Sequence, residues 1–249
     1  MSVDLRYNNL FFPGETWANY VPLNTLETNA NFSSWSVDLY HAPTKTGIGA
    51  LAWPSVLTLT KDIITGSSYR FYFPEQTIPI NIADGCYRIL ITDTTGPTVL
   101  YISEIIEFIS SKTNTLRIRY RNDKNIQNYN YVTLASFKNI QRIKLKRLKG
   151  RPLTNSTGFD RVGAAFKLVR STSSQIWEFT TGWFDSDSHE AFNSATIHTT
   201  FEVFIDGNWI QHNRTDSSDY STPFEEDYPL IQGIIELEQT NKASSNKAV

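Results

Sequence analysis

Apolar and polar residues alternate with a period of two through much of this chain. Tyr87, Ile89 and Ile91 alternate with Arg88, Leu90 and Thr92, which puts one set inward and the other outward on a strand. The stretch 94–97, Thr-Thr-Gly-Pro, supplies turn chemistry, because Gly tolerates positive φ and Pro fixes φ while giving up a donor. The following run, Val99 to Ile109, is apolar on both faces through Leu100, Ile102, Ile105, Ile106 and Phe108. Such a run predicts a hairpin whose second strand lies centrally in a sheet or between two sheets. Upstream, Trp35, Val37, Leu39 and His41 share one face of a strand, and Val56, Leu57 and Leu59 lie in the next. Tyr69, Phe71 and Phe73 then alternate with Arg70 and Tyr72 until Pro74 is expected to end the run. Short Gly-containing stretches at 46–50 and 65–68 read as turns.

The polar run Ser110 to Asn114 is the candidate joint between two regions. Beyond it Leu116, Ile118 and Tyr120 alternate with Arg117, Arg119 and Arg121. Ile143 and Leu145 likewise alternate with Arg142, Lys144 and Lys146 within a strand from Ile140 to Leu148. Further strands are predicted at Ala164 to Arg170, Gln175 to Thr181, Phe201 to Ile205 and Ile231 to Leu237, with Asp206-Gly207 as a type I′ hairpin turn. No segment shows a convincing helical period. The pattern predicts an all-β chain of two antiparallel β-sandwich domains, residues 34–112 and 113–239, with an extended N-terminal arm over 1–33 and a flexible tail over 240–249. Phe11, Phe12, Trp17, Tyr20 and Phe32 make the arm aromatic, so it needs a surface to lie on, its own domain or a neighbouring subunit.

Composition sharpens this picture in two ways. The 249 residues include 15 Phe, 12 Tyr and 6 Trp against one Met, a bias towards strands. The single cysteine, Cys86, excludes an intrachain disulfide and a cysteine-cluster metal site. The N-terminus shows no basic segment followed by an apolar run, and nowhere do about 18 apolar residues run together. Synthesis in the cytoplasm and no contact with a membrane are therefore expected.

The net charge of −2 conceals a separation. Twelve basic residues and one acid, Asp123, lie between Lys112 and Arg151, whereas thirteen acids and one base, Arg214, lie between Ser171 and Asn241. Two explanations are open. Facing strands of one body can pair these charges internally. Alternatively the two faces join different copies head to tail, and such a contact repeated about an axis closes a ring. The candidate interface is Arg117, Arg119, Arg121, Arg142, Lys144 and Lys146 on the positive side, and Glu202, Asp206, Glu225, Glu226 and Asp227 on the negative. Tyr129 and Tyr131 beside the basic stretch 137–151 are placed to stack on bases. The near-zero charge over 112–241 argues against dedicated nucleic-acid recognition and leaves only nonspecific contact with DNA in a channel.

Catalytic signatures are missing, and neither a catalytic residue, a cofactor nor a metal is expected. Asp185, Asp187, His189 and Glu190 crowd one segment, but the two-histidine zinc helix and the EF-hand spacing are both absent, so a solvated acidic loop is the reading. His41, His198 and His212 have no sequence-near partners. Among Trp177, Phe179, Trp183 and Phe184, a possible sugar platform, alternation assigns Trp177 and Phe179 to core and leaves Trp183, after Gly182, the freer ring.

Three stretches carry a resemblance: Gly85-Cys86-Tyr87-Arg88-Ile89 followed by Tyr101-Ile102-Ser103-Glu104; Leu116 to Asn122; and Phe201 to Gly207. Together they resemble virion proteins of phages infecting Bacteroidetes, including the short-tailed crAss-like phages, and their small tail or ring components in particular. The resemblance covers about residues 68 to 207. It implies a non-enzymatic virion protein of the tail, a cyclic homo-oligomer that docks other tail proteins around the DNA exit channel. The alternative is a carbohydrate-binding β-sandwich module of a phage or bacterial surface assembly.

Overall fold

A computed structural model describes residues 2–3, 10–20, 35–41, 60–65, 68–78, 80–93, 98–103, 105–125, 131–132, 134, 136–159, 167–184, 186–215, 220–221, 232–240 and 243–246. Among them are sixteen strands and one helix, so the class is all-β.

Six strands form a closed antiparallel barrel. β10 (Thr115–Arg121) pairs β13 (Thr200–Ile205), which pairs β14 (Asn208–Arg214), and β15 (Ile234–Gln239) follows. β15 pairs β12 (Lys167–Thr181), β12 pairs β11 (Asn139–Phe159), and β11 returns to β10. A pairing that closes on itself differs from two facing sheets, and its cause is the length of β11. This strand runs 21 residues: Asn139 to Lys144 pair with β10, and Leu145 to Phe159 pair with β12. A register shift between Leu145 and Arg147 marks a bulge, which bends the strand and lets one segment serve both neighbours.

The barrel interior is set by the alternation along each strand. Leu116, Ile118 and Tyr120 of β10 are buried, while Arg117, Arg119 and Arg121 between them are half-buried on the outer face. Ile143, Leu145, Phe179, Phe201, Val203, Ile235 and Leu237 complete the strand contribution. The helix α1 (Ser186–Thr196) adds Phe192 and Ala195 to the same core, and Phe184 enters just before it. Burying the Phe192 ring contributes about 2–3 kcal/mol.

The helix stands where a solvated acidic loop was the expectation. Its buried positions, Ser188, His189, Phe192, Ala195 and Thr196, follow a helical stripe, but three of the five are polar. His189 turns inward to the Tyr220 hydroxyl rather than out towards a cation.

The other strands form an outer layer joined to the barrel through the N-terminal segment. β7 (Gly85–Asp93) pairs β4 (Trp35–His41), and also pairs both β8 (Thr98–Ser103) and β9 (Ile106–Phe108). The run 99–109, expected as one strand, is thus two, and Ile105 between them is exposed. β1 (Ser2–Val3) lies parallel to β8. β2 (Leu10–Phe11) lies between β9 and β11, and β3 (Thr16–Tyr20) lies between β6 (Ser68–Thr77) and β11. β5 (Thr60–Thr65) edges β6, which continues through Pro74 instead of ending there.

The described part of the arm is therefore built into the sheet. Phe11 and Trp17 are buried, their rings 5.0 Å apart; Phe11 also stacks on Phe108 at 5.3 Å, and Trp17 meets Phe73 at 4.8 Å. The described part of the tail is a strand: β16 (Ala243–Asn246) pairs with Arg170 to Ser173 of β12. The strand expected at 56–59, the turn at 46–50 and the tyrosine Tyr129 lie outside the described residues.

Candidate functional site

The topology brings the separated charges side by side within one chain. The basic strand β10 lies beside β13 from the acidic stretch, and the basic half of β11 lies beside β12 and near β15. Charges far apart in sequence become neighbours across the barrel wall. Arg119 stands opposite Glu202 and holds it with two bonds, Nε to Oε2 at 2.6 Å and Nη2 to Oε1 at 2.8 Å. Lys138 reaches the same carboxylate at 2.8 Å. Arg151 donates to both oxygens of Glu236 at 3.0 Å.

The remaining cations turn towards the outer layer. Arg142, only 8% exposed, donates from Nε and Nη2 to Glu15 at 2.8 and 2.6 Å, and from Nη1 to Thr115 Oγ1 at 2.6 Å. Lys112 joins Glu15 at 3.0 Å and Lys144 pairs with Glu107 at 2.8 Å. Lys146 donates to Gln232 Oε1 at 2.9 Å. Burial alone would raise the Glu15 and Glu202 carboxyls, but the cations bonded to them pull both below the usual carboxylate range.

Arg117 and Arg119 also lie over the ring of Trp209, at 5.0 and 4.4 Å, and Arg117 donates to the Thr16 carbonyl at 2.9 Å. Arg121 donates to the carbonyls of Leu134 and Phe137 at 3.2 and 3.4 Å, which fastens that loop to the wall.

Arg119, Arg142 and Glu202 are thus engaged inside the chain. Arg117 and Arg121 are likewise bonded within the chain. Of the rest, Asp206 sits in the predicted hairpin turn with φ of 49° beside Gly207 at 83°, while Glu225, Glu226 and Asp227 lie outside the described residues. The acids that matter most here, Glu15 and Glu107, carry no signal in the sequence, since Glu15 is 127 residues from Arg142.

The buried histidines serve packing and hydrogen bonding. His198 Nδ1–H donates to the Ser194 carbonyl at 2.8 Å, and Nε2 accepts from the Tyr131 hydroxyl at 3.1 Å. That hydroxyl in turn accepts from Asn139 Nδ2 at 2.7 Å. His212 Nδ1–H donates to the Ile210 carbonyl at 2.8 Å, and its ring meets Phe179 edge to face. Burial pushes the His198 and His212 imidazoles below their ordinary pKa. Among the described residues no group of three or more His, Cys, Asp or Glu is placed to hold a metal ion. No helix among them is long and apolar enough to cross a membrane.

One cleft opens where barrel and outer layer meet. It encloses about 640 Å³ between the joint 110–115 and the turn at Gly182-Trp183. Leu10, Ile109 and Leu145 line its apolar part, and Asp84, Asn114, Lys144, Lys146 and Gln232 its polar part. Trp183 is 59% exposed on its wall, whereas Phe179 and Phe184 are buried. The wall is fixed by backbone: Gly182 N–H donates to the Lys144 carbonyl at 3.1 Å, and a Cβ at position 182 would stand 2.7 Å from Lys144 Cβ.

No protein-family model matches the chain, and no curated protein matches it.

Proposed function

We propose that this chain is a non-enzymatic structural component of a virion, a tail element that assembles with copies of itself and with other tail proteins. The observation that carries the reading is the ribbon made by the far halves of β11 and β12. Barrel pairing of β12 with β15 covers only Ile176 to Thr180, yet β11 and β12 stay paired from Pro152-Gln175 out to Phe159-Lys167. Eight further residues of extended strand reach about 25 Å beyond the wall.

A two-stranded ribbon by itself is marginal in water, and this one gains only the four residues of β16 along part of its length. In its middle Thr154, Asn155, Ser156 and Thr157 stand opposite Ser173, Thr172, Ser171 and Arg170, a run of polar residues on both strands. An extended arm of this kind is stabilised when another subunit completes it, by pairing along its edge or covering its face. Exposed Arg147 and Lys149 lie on β11 at the base of the ribbon and make no ion pair among the described residues, so a partner that reaches the barrel wall meets positive charge. The head-to-tail contact is thereby assigned to the arm instead of to the ion-paired wall.

Light scattering on the eluting protein, with negative-stain microscopy, tests this. The intact chain is expected to form closed multimers at rising concentration. A variant in which residues 154–172 are replaced by Asn-Gly is expected to stay monomeric with an unchanged near-ultraviolet spectrum. An intact chain that remains monomeric at every concentration, and that no other component of a particle retains, would overturn the reading.

A further inference from the structure

We infer that the cleft beside Trp183 binds a saccharide, and that it prefers a sugar carrying a carboxylate to a neutral one. This goes beyond the assembly reading and stands on a separate part of the molecule.

Trp183 is 59% exposed on the cleft wall, which leaves its indole open to a ligand that would bury it. Here the turn that exposes it is enforced. Gly182 must come within backbone bonding distance of Lys144, and no larger residue fits there. The Trp183 indole thus lines a space of about 640 Å³, the size of a small-ligand site.

The polar groups around that space match hydroxyls. Asp84 accepts from Ser110 Oγ through Oδ2 at 2.7 Å, and among the described residues nothing bonds its other oxygen. The Asn114 side-chain amide and the Gln232 amide nitrogen are likewise unbonded among the described residues, and Gln232 uses only its oxygen, on Lys146. Asn114 is held in the left-handed region at φ of 56°, with its carbonyl accepting from Leu145 N–H at 2.8 Å, so its backbone at the cleft is fixed.

Acceptor, donor and mixed groups around one exposed indole suit a ring that presents C–H bonds on its faces and hydroxyls on its rim. An apolar peptide side chain would instead leave those groups desolvated and unbonded. Lys144 is paired with Glu107, but Lys146 bonds only the neutral Gln232 oxygen and makes no ion pair among the described residues, so its ammonium is the lining group that favours an anionic sugar.

The test is saturation-transfer NMR with D-glucuronate, N-acetylneuraminate and D-glucose on the full chain. Transfer to at least one of the two anions, at least threefold stronger than to glucose, is expected. Trp183→Ala should reduce that signal at least tenfold with an unchanged circular dichroism spectrum, and Lys146→Gln should erase the preference for charge. In the intact protein the Trp183 indole N–H resonance should shift with the bound anion, a readout independent of any variant. No transfer to any of the three sugars, transfer that survives Trp183→Ala, or an unmoved Trp183 resonance overturns the site. Equal transfer to glucose overturns the charge preference.

Discussion

Removing the Glu15 carboxylate leaves the Arg142 guanidinium buried, at 8% exposure, with only Thr115 Oγ1 to receive its protons. Breaking such a pair from one side costs more than the pair contributes, because the surviving ion stays desolvated. Glu15→Ala is therefore expected to lower stability by about 3 kcal/mol, and Glu15→Ala with Arg142→Met to recover much of it, as read from urea unfolding midpoints. By contrast Lys144→Ala should change stability by less than about 1 kcal/mol, since both partners of that pair are more than 40% exposed.

The buried histidines set a pH dependence of definite sign. Burial lowers the folded pKa of His198 and His212 below 6.5, so the fold holds them neutral. The stability this represents is present above pH 6.5 and is lost as pH falls below it, because the unfolded chain binds the proton first. Glu15 and Glu202, held below 4.5, add a second loss as pH falls through and below that value. Melting temperatures measured from pH 8 to 3 should fall in two stages. The upper stage should shrink in the double variant His198→Gln, His212→Gln.

At the scale of elements, α1 owes its place to Phe192, whose fully buried ring faces Phe201 at 6.3 Å and Phe184 at 6.4 Å. Phe192→Ala should destabilise the barrel by about 3–4 kcal/mol in equilibrium unfolding, with loss of helical signal in the same transition. The helix also shows what the sequence hides. β10 was readable because its inward residues are all apolar and its outward ones all arginine. The inward face of α1 carries Ser188, His189 and Thr196, which satisfy hydrogen bonds rather than a hydropathy count. The length of β11 was hidden by the bulge, which places inward-facing Leu145 and Leu148 three apart and breaks the period of two. β16 gave no signal because backbone pairing by Ala243 to Asn246 needs no apolar side chain. Trp183 was legible as the freer ring, but the cleft around it was not. Asp84, Asn114, Lys146 and Gln232 come together only when the barrel meets the outer layer.

For the molecule as a whole, the connection between barrel and outer layer runs through a few residues near the N-terminus. β2 pairs β9 on one side and β11 on the other, and β3 joins β6 to β11. The same stretch carries Glu15, which bonds Arg142 and Lys112, and Phe11, which packs against Phe108 and Trp17. Each half has apolar residues enough for a core, so the stretch acts mainly as a tie that makes them unfold together. In the intact chain, tryptophan fluorescence and near-ultraviolet circular dichroism should report one coincident transition in urea. Deleting residues 2–20 withdraws both ties, uncovers the edge of β11 and leaves Arg142 without its carboxylate. The shortened chain should then show two separated transitions, the outer layer melting first because its strands lose a neighbour on β9 and β6 together, while the barrel loses only the outer pairings of β11 and keeps all those among its own six strands.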